Sequence, residues 1–127
     1  MIRITLELPY PPTVNHYLKR GRKGKPCLTD EAVDYKRQVR CHWLQQRPMF
    51  GYKGIGEAQF EMAIYVQPPD RRRRDIANIE KVLTDALQDA GVFTDDFQMW
   101  RLIIERGPVL AGGRVTVVIT PGAKARG

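Results

Sequence analysis

Four arginines, Arg71, Arg72, Arg73 and Arg74, stand between two aspartates, Asp70 and Asp75. Asp75 opens a stretch with helical periodicity, so the arginines lead into a helix N-terminus. A guanidinium forks a phosphate with two N–H groups, and the unsatisfied N–H groups of a first helical turn add anion affinity. Asn78, Lys81 and Asp85 follow at +3 and +4 steps and share one face of that helix. Ala77 precedes Lys81 by four and belongs to the same stripe. Asp95 and Asp96 come just past the helix, where the chain turns back toward the same place. Carboxylates beside a cationic phosphate site point to Mg²⁺, which takes one or two protein carboxylates and otherwise binds water and phosphate oxygens. Such an ion activates water and neutralises charge on the leaving oxygen in phosphodiester hydrolysis.

Each of these residues also has a plainer explanation. A run of arginines is often a solvated charge cluster. Asp75 suits helix N-capping, Asp95–Asp96 suits a turn, and Lys81 suits an i,i+4 ion pair with Asp85. Their joint occurrence is what favours chemistry.

The whole chain agrees with a polyanionic partner. Lysine and arginine number 21 against 14 acidic residues, a net charge of +7 and an isoelectric point near 9.7. That balance favours nucleic acid or an anionic membrane. No basic amphipathic helix with a Trp/Phe/Leu face stands out, so nucleic acid leads. No apolar run approaches the roughly 20 residues that span a bilayer. The N-terminus alternates like a strand and lacks the apolar stretch of a signal peptide, so a cytoplasmic protein is expected. Cys27 and Cys41 form no C-x-x-C pair and are expected to be free thiols. His16 and His42 are the two histidines, and without a Cys or His cluster a zinc site is not expected.

The elements that must position the charged residues can be outlined from periodicity. The 127 residues fit one domain, residues 1–127, with a modest core that a partner subunit would enlarge. Ile2, Ile4, Leu6 and Leu8 alternate as a half-buried strand, which Pro9, Pro11 and Pro12 end. A basic loop, about 9–28, carries Lys19, Arg20, Arg22, Lys23 and Lys25 around the pliable Gly21 and Gly24. Thr29 is the expected N-cap of a helix whose Ala32, Tyr35, Val39 and Trp43 face the core and which Pro48 closes. Residues 48–57 form a loop. Phe60, Met62, Ile64 and Val66 mark a second strand. A helix over about 75–90 places Ile76, Ile79, Leu83, Ala86, Leu87 and Ala90 in one arc of roughly 100°, with Gly91 as its C-terminal cap. Trp100, Leu102 and Ile104 suggest a third strand, and Val115, Val117 and Ile119 a fourth, reached through Gly112–Gly113. The small, basic tail, 121–127, is expected to fray. The order β-α-β-α-β-β predicts an α+β domain: a mixed four-stranded sheet with two helices.

The string Asp-Arg-Arg-Arg-Arg-Asp-x-x-Asn-x-x-Lys over 70–81, then Asp85-Ala86-Leu87, then Asp95-Asp96, resembles the signature of the RusA resolvases. The opening Leu8-Pro9-Tyr10-Pro11-Pro12-Thr13-Val14-Asn15 is similar to that family's Pro-rich start, and Gly112-Gly113-Arg114 also fits. The resemblance covers nearly the whole chain. It implies a small homodimeric endonuclease, often phage-borne, that needs Mg²⁺ (Mn²⁺ substituting) and cuts four-way or branched DNA symmetrically in recombination and repair. The family's metal site uses three aspartates, of which two match Asp75 and Asp96, with Asp95 a further candidate. Lys81, Asn78 and Arg74 match its lysine, asparagine and last arginine. Lys81 is then expected to stabilise charge on the scissile phosphate, while Arg71–Arg74 and the Lys19–Lys25 loop grip the DNA backbone.

The third aspartate belongs at position 77, where this chain has Ala77. Alanine offers no oxygen to a metal. The rest of the motif is intact, as a single inactivating substitution would leave it; a naturally decayed copy is the other origin. The expectation is therefore a resolvase scaffold with impaired cutting. The alternative is a branched-DNA-binding protein that does not cut. A basic RNA-binding protein would explain the charge but not the stripe of Asp75, Lys81 and Asp96.

Overall fold

The computed structural model describes residues 2–13, 18–51 and 53–123. Val14 and Asn15 of the opening motif, His16, the Arg22 side chain and the last four residues of the expected tail lie outside that description. Alternating strand residues build the core. Strands β1 (Ile4–Leu8), β4 (Phe60–Gln67) and β6 (Arg114–Pro121) bury every second side chain: Ile4, Leu6 and Leu8; Phe60, Met62, Ile64 and Val66; Val115, Val117 and Ile119. One sheet face is thus apolar and the other partly solvated, the period-2 outcome of a sheet covered on one side. Between β1 and β4 lie a short hairpin, β2 (Leu18–Arg20) with β3 (Pro26–Leu28), and helix α1 (Asp30–Gln46). Helix α2 (Glu80–Ala90) precedes β5 (Met99–Arg106).

The sheet order is β1-β6-β4-β5. β6 runs antiparallel to both β1 and β4, whereas β4 and β5 are parallel. Parallel neighbours need a crossover, and residues 68–98, with α2 in their midst, supply it. The expected mixed α+β sheet with two helices is what the chain forms.

Both helices close on the apolar face. Thr29 caps α1 by accepting from the Ala32 N–H at 3.2 Å, and Ala32, Tyr35, Val39 and Trp43 are buried as their spacing requires. Buried Tyr35 donates to the Pro9 carbonyl at 2.8 Å, so its hydroxyl is satisfied, and burial pushes the phenol upward from its ordinary pKa. Gly91 ends α2 in the left-handed conformation, at φ 87°. Phe60 and Phe93 meet with ring centroids 4.7 Å apart.

The structure departs from the periodicity reading in five places. Ile2, read as the start of the first strand, lies before β1 and is exposed. The helix expected over about 75–90 is not one α-helix: Ile76–Ile79 form a 3₁₀ turn and α2 begins at Glu80. Its buried arc is also wider, because Val82 and Thr84 are covered as well, as befits a helix packed along α1 and into the core cluster. Thr84 is tolerated there because its hydroxyl donates to Glu80 at 2.8 Å. The basic stretch is not simply a loop, since β2 and β3 pair within it. The loop after α1 begins with a 3₁₀ turn, Arg47–Phe50, and buries Ile55, whose N–H donates to the Val92 carbonyl at 2.9 Å.

Candidate nucleic-acid and metal site

Asp75 sits in extended conformation and caps the turn that follows. Its carboxylate accepts from the Ala77 N–H at 3.0 Å and its carbonyl from the Asn78 N–H at 3.1 Å. The capping reading of Asp75 is therefore realised in full. The 3₁₀ turn changes the angular step, so Ala77 and Lys81 do not share a strictly α-helical stripe. Asp75 and Ala77 are exposed and Asn78 is half-buried.

In the first turn of α2, Lys81 donates to Asp85 at 3.2 Å. Asp96 lies close enough for its charge, after that of Asp85, to help hold the Lys81 ammonium above its ordinary pKa. The return of the chain after α2 is rigidly built. Asp95 accepts from the Phe97 N–H at 3.1 Å, and Gln98 accepts from the Asp95 N–H at 2.7 Å, a capping box. The amide of Gln98 then donates to the carbonyls of Gly56 and Ala58, at 2.8 and 2.7 Å, while Gln88 accepts from the Asp96 N–H at 3.2 Å. The two adjacent carboxylates interact. The Phe97 N–H and a hydrogen bond with Asp96 draw Asp95 below the ordinary carboxylate range. The same bond to Asp95, with desolvation and its negative charge, lifts Asp96 above it.

The fold thus brings Lys81, Asp85, Asp95 and Asp96 together. Asp85 was read from the sequence as a member of the helix stripe and a salt-bridge partner of Lys81, and its charge acts on Asp96 as well. Among the described residues, no group of three or more His, Cys, Asp and Glu side chains is placed to hold a metal ion. A full set of three carboxylates therefore does not form, and position 77 contributes a methyl group.

The arginine run divides. Arg71, Arg72 and Arg73 are exposed, whereas Arg74 is committed inward. Its two terminal nitrogens donate to the two oxygens of Asp70, at 2.5 and 3.0 Å, a bidentate fork. That fork, with the Arg72 N–H and the nearby arginine charges, holds Asp70 down to a pKa of about 2. Arg106, from β5, donates to the Arg74 carbonyl at 2.6 Å. Tyr10 stands beside Arg74, Arg106 and Asp70, and burial pushes its phenol up. Its ring lies so close to Gly113, at φ 73°, that a Cβ there would fall 2.7 Å from the Tyr10 Cβ. Asp70, read from the sequence only as flanking the arginine run, is the partner of Arg74 four residues on. Tyr10, just past β1, and Arg106, at the end of β5, are distant in sequence and carried no local signal. On the hairpin, Lys19, Arg20, Lys23 and Lys25 all point to solvent, and Lys19 lies 3.5 Å from Asp30.

No helix among the described residues is long and apolar enough to cross a membrane. Cys27 and Cys41 are free and exposed, as expected. Residues 9–120 match the family described as endodeoxyribonuclease RusA. The chain is 34% identical over 117 residues to the crossover junction endodeoxyribonuclease RusA of Escherichia coli K12, covering 91% of this chain and 92% of that one. It is 35% identical over 117 residues to the protein of that name from Enterobacteria phage 82, with the same coverage. The phage HK97 counterpart is 33% identical over 113 residues, covering 89% of this chain and 90% of its own. Matching along nearly its whole length, the chain belongs to the RusA family of endodeoxyribonucleases.

Proposed function

We propose that this chain engages four-way or branched DNA as a homodimeric, structure-specific endonuclease of the RusA type, inside bacterial or phage-infected cells, and that Ala77 impairs its cutting. The observation that carries this reading is the pairing of an exposed arginine run, Arg71–Arg73, with a carboxylate and lysine cluster at the end of the same crossover. Arg71, Arg72 and Arg73, with Lys19, Arg20, Arg22, Lys23 and Lys25, hold backbone phosphates. Arg74, locked by Asp70, presents its remaining donors in a set orientation. Lys81 and Asn78 face the scissile phosphate.

In an intact site, Mg²⁺, or Mn²⁺ in its place, would supply activated water and neutralise the leaving oxygen. Asp75 and Asp96 would be two of its ligands, with Asp95 beside them. The donors present do not complete the three-carboxylate set, so no hydrolytic step is assigned to the chain as it stands. Ala77 favours a second reading, a branched-DNA-binding protein that does not cut.

Single-turnover cleavage of a synthetic four-way junction in Mg²⁺ tests both readings, with junction binding measured in EDTA. Even outer-shell partners of metal sites change activity by about 10–100-fold, so Ala77→Asp should raise cleavage by at least about 100-fold. Binding in EDTA should be unchanged or slightly weaker in that variant, because a carboxylate is added near the phosphates. No gain from Ala77→Asp would sink the metal-site assignment, and full-rate cutting by the chain itself would remove position 77 from the site.

A further inference from the structure

We propose that the Phe97 ring stacks on a base laid open at the branch point of the DNA, and that this contact lets the chain favour branched DNA over linear duplex. Phe97 is 92% exposed, the most exposed of the large apolar side chains among the described residues. Its backbone, by contrast, is held from several sides. The Phe97 N–H donates to the Asp95 carboxylate at 3.1 Å, and the Asp96 N–H before it donates to Gln88 at 3.2 Å. Gln98, after it, donates to the carbonyls of Gly56 and Ala58. Upstream, Phe93 is buried against Phe60. A ring on so fixed a support loses little freedom when it meets a flat partner.

Single exposed apolar residues are common and need no function. The neighbours of Phe97 set it apart. The ring follows directly on Asp95 and Asp96, and Asp96 is near enough to Lys81 for the two charges to act on each other. In the resolvase reading, on which this role rests, that cluster faces the scissile phosphate. A side chain placed there meets the nucleotides beside the cut and not the distant arms. Phe97 carries neither charge nor hydrogen-bonding group, so it can hold no phosphate and read no base edge. What it can bind is the face of a base. Every base has such a face, so the contact selects exposed bases and tolerates any sequence.

Inside a duplex arm the bases stack on one another and are closed to the ring. Where arms meet, the stack is interrupted, and a base leaves it at the lower cost that unpaired or mismatched bases show. Exposed arginines hold phosphates on any duplex and do not tell a branch from an arm. Phe97 supplies the contact that the branch alone offers.

The test is binding of the full chain and of Phe97→Ala, in EDTA, to a synthetic four-way junction and to linear duplex of the same arm sequence. Alanine removes the stacking of one base, so junction affinity should fall roughly 5- to 150-fold. Duplex affinity and the salt slope of junction binding should stay as they are, because the ring neutralises no phosphate. Phe97→Trp should keep the junction affinity. With 2-aminopurine replacing single bases, the saturated complexes of the chain and of Phe97→Ala should differ in fluorescence at the branch point and agree within the arms. An equal loss on junction and duplex overturns the proposal, and so does identical fluorescence at every branch position. A fall in the mass of the protein on Phe97→Ala, by light scattering without DNA, also overturns it, because the ring then serves a contact between copies of the chain. A chain that binds no junction overturns this role together with the resolvase reading. A chain that binds junctions equally well with alanine at position 97 sinks this role alone.

Discussion

Ala77 leaves the local backbone intact. Its N–H donates to the Asp75 carboxylate, so the turn forms with no oxygen-bearing side chain at position 77. Asp70 acts through a neighbour, since its carboxylate fixes the orientation of the Arg74 guanidinium. The Arg74 fork lowers its pKa from 3.8 to about 2. A carboxyl whose folded-state pKa is depressed adds stability above its unfolded value and loses it as pH falls through the folded one. The Asp70–Arg74 contribution is thus complete above about pH 4 and fades toward pH 2. Proton-detected titration should find the Asp70 carboxyl ionised down to about 2, and Asp70→Asn should abolish that part of the acid dependence. A midpoint for Asp70 near 3.8 would mean that Arg74 is not held by this fork in solution.

The elements around the site combine a compact turn with exposed cations. The 3₁₀ turn Ile76–Ile79 buries Ile79 and leaves Ala77 at the surface. The capping box at Asp95 and the two bonds from Gln98 to the segment before β4 hold the Asp95–Asp96 turn. Arg71, Arg72 and Arg73 precede the turn with exposed side chains, whereas Arg74 is engaged. This division refines what mutagenesis should show. Each exposed arginine that neutralises one phosphate should remove about 0.9 from the slope of log affinity against log salt on duplex arms. Arg71→Ala and Arg73→Ala should each flatten the slope by about that amount and weaken all junction sequences alike. An unchanged slope in the double variant Arg71→Ala, Arg73→Ala would place the run away from the DNA.

At the scale of the molecule, one apolar layer between sheet and helices bears the fold. Phe60 from the centre of the sheet and Phe93 from the turn after α2 stack within it, both essentially inaccessible. Phe93 therefore ties the Asp95–Asp96 turn, two residues on, to the core. Truncating such a ring removes buried area and leaves a cavity, at about 3–5 kcal/mol. Urea unfolding of Phe93→Ala should show that loss as a lower midpoint with little change in slope. A loss under about 1 kcal/mol would mean the site collapses freely around the missing ring.

Much of this protein was written locally. Period-2 alternation in β1, β4 and β6 determined which side chains are buried, because only one phase of each strand is apolar. Thr29, Gly91 and Asp75 marked their helix ends through capping chemistry that depends on near neighbours alone. The charge run, the lysine and aspartate stripe, and the alanine at position 77 were likewise legible. Tertiary structure decided what depends on contacts between distant residues. It made β5 an edge strand parallel to β4, so Leu102 and Ile103 stay exposed although their pattern resembles that of buried strands. It placed Tyr10 and Arg106 beside Arg74, across 64 and 32 positions of chain. It also turned Arg74 inward while its three neighbours remained in solvent. Local sequence specifies which groups can interact, but the sheet order and the crossover determine which of them come within reach.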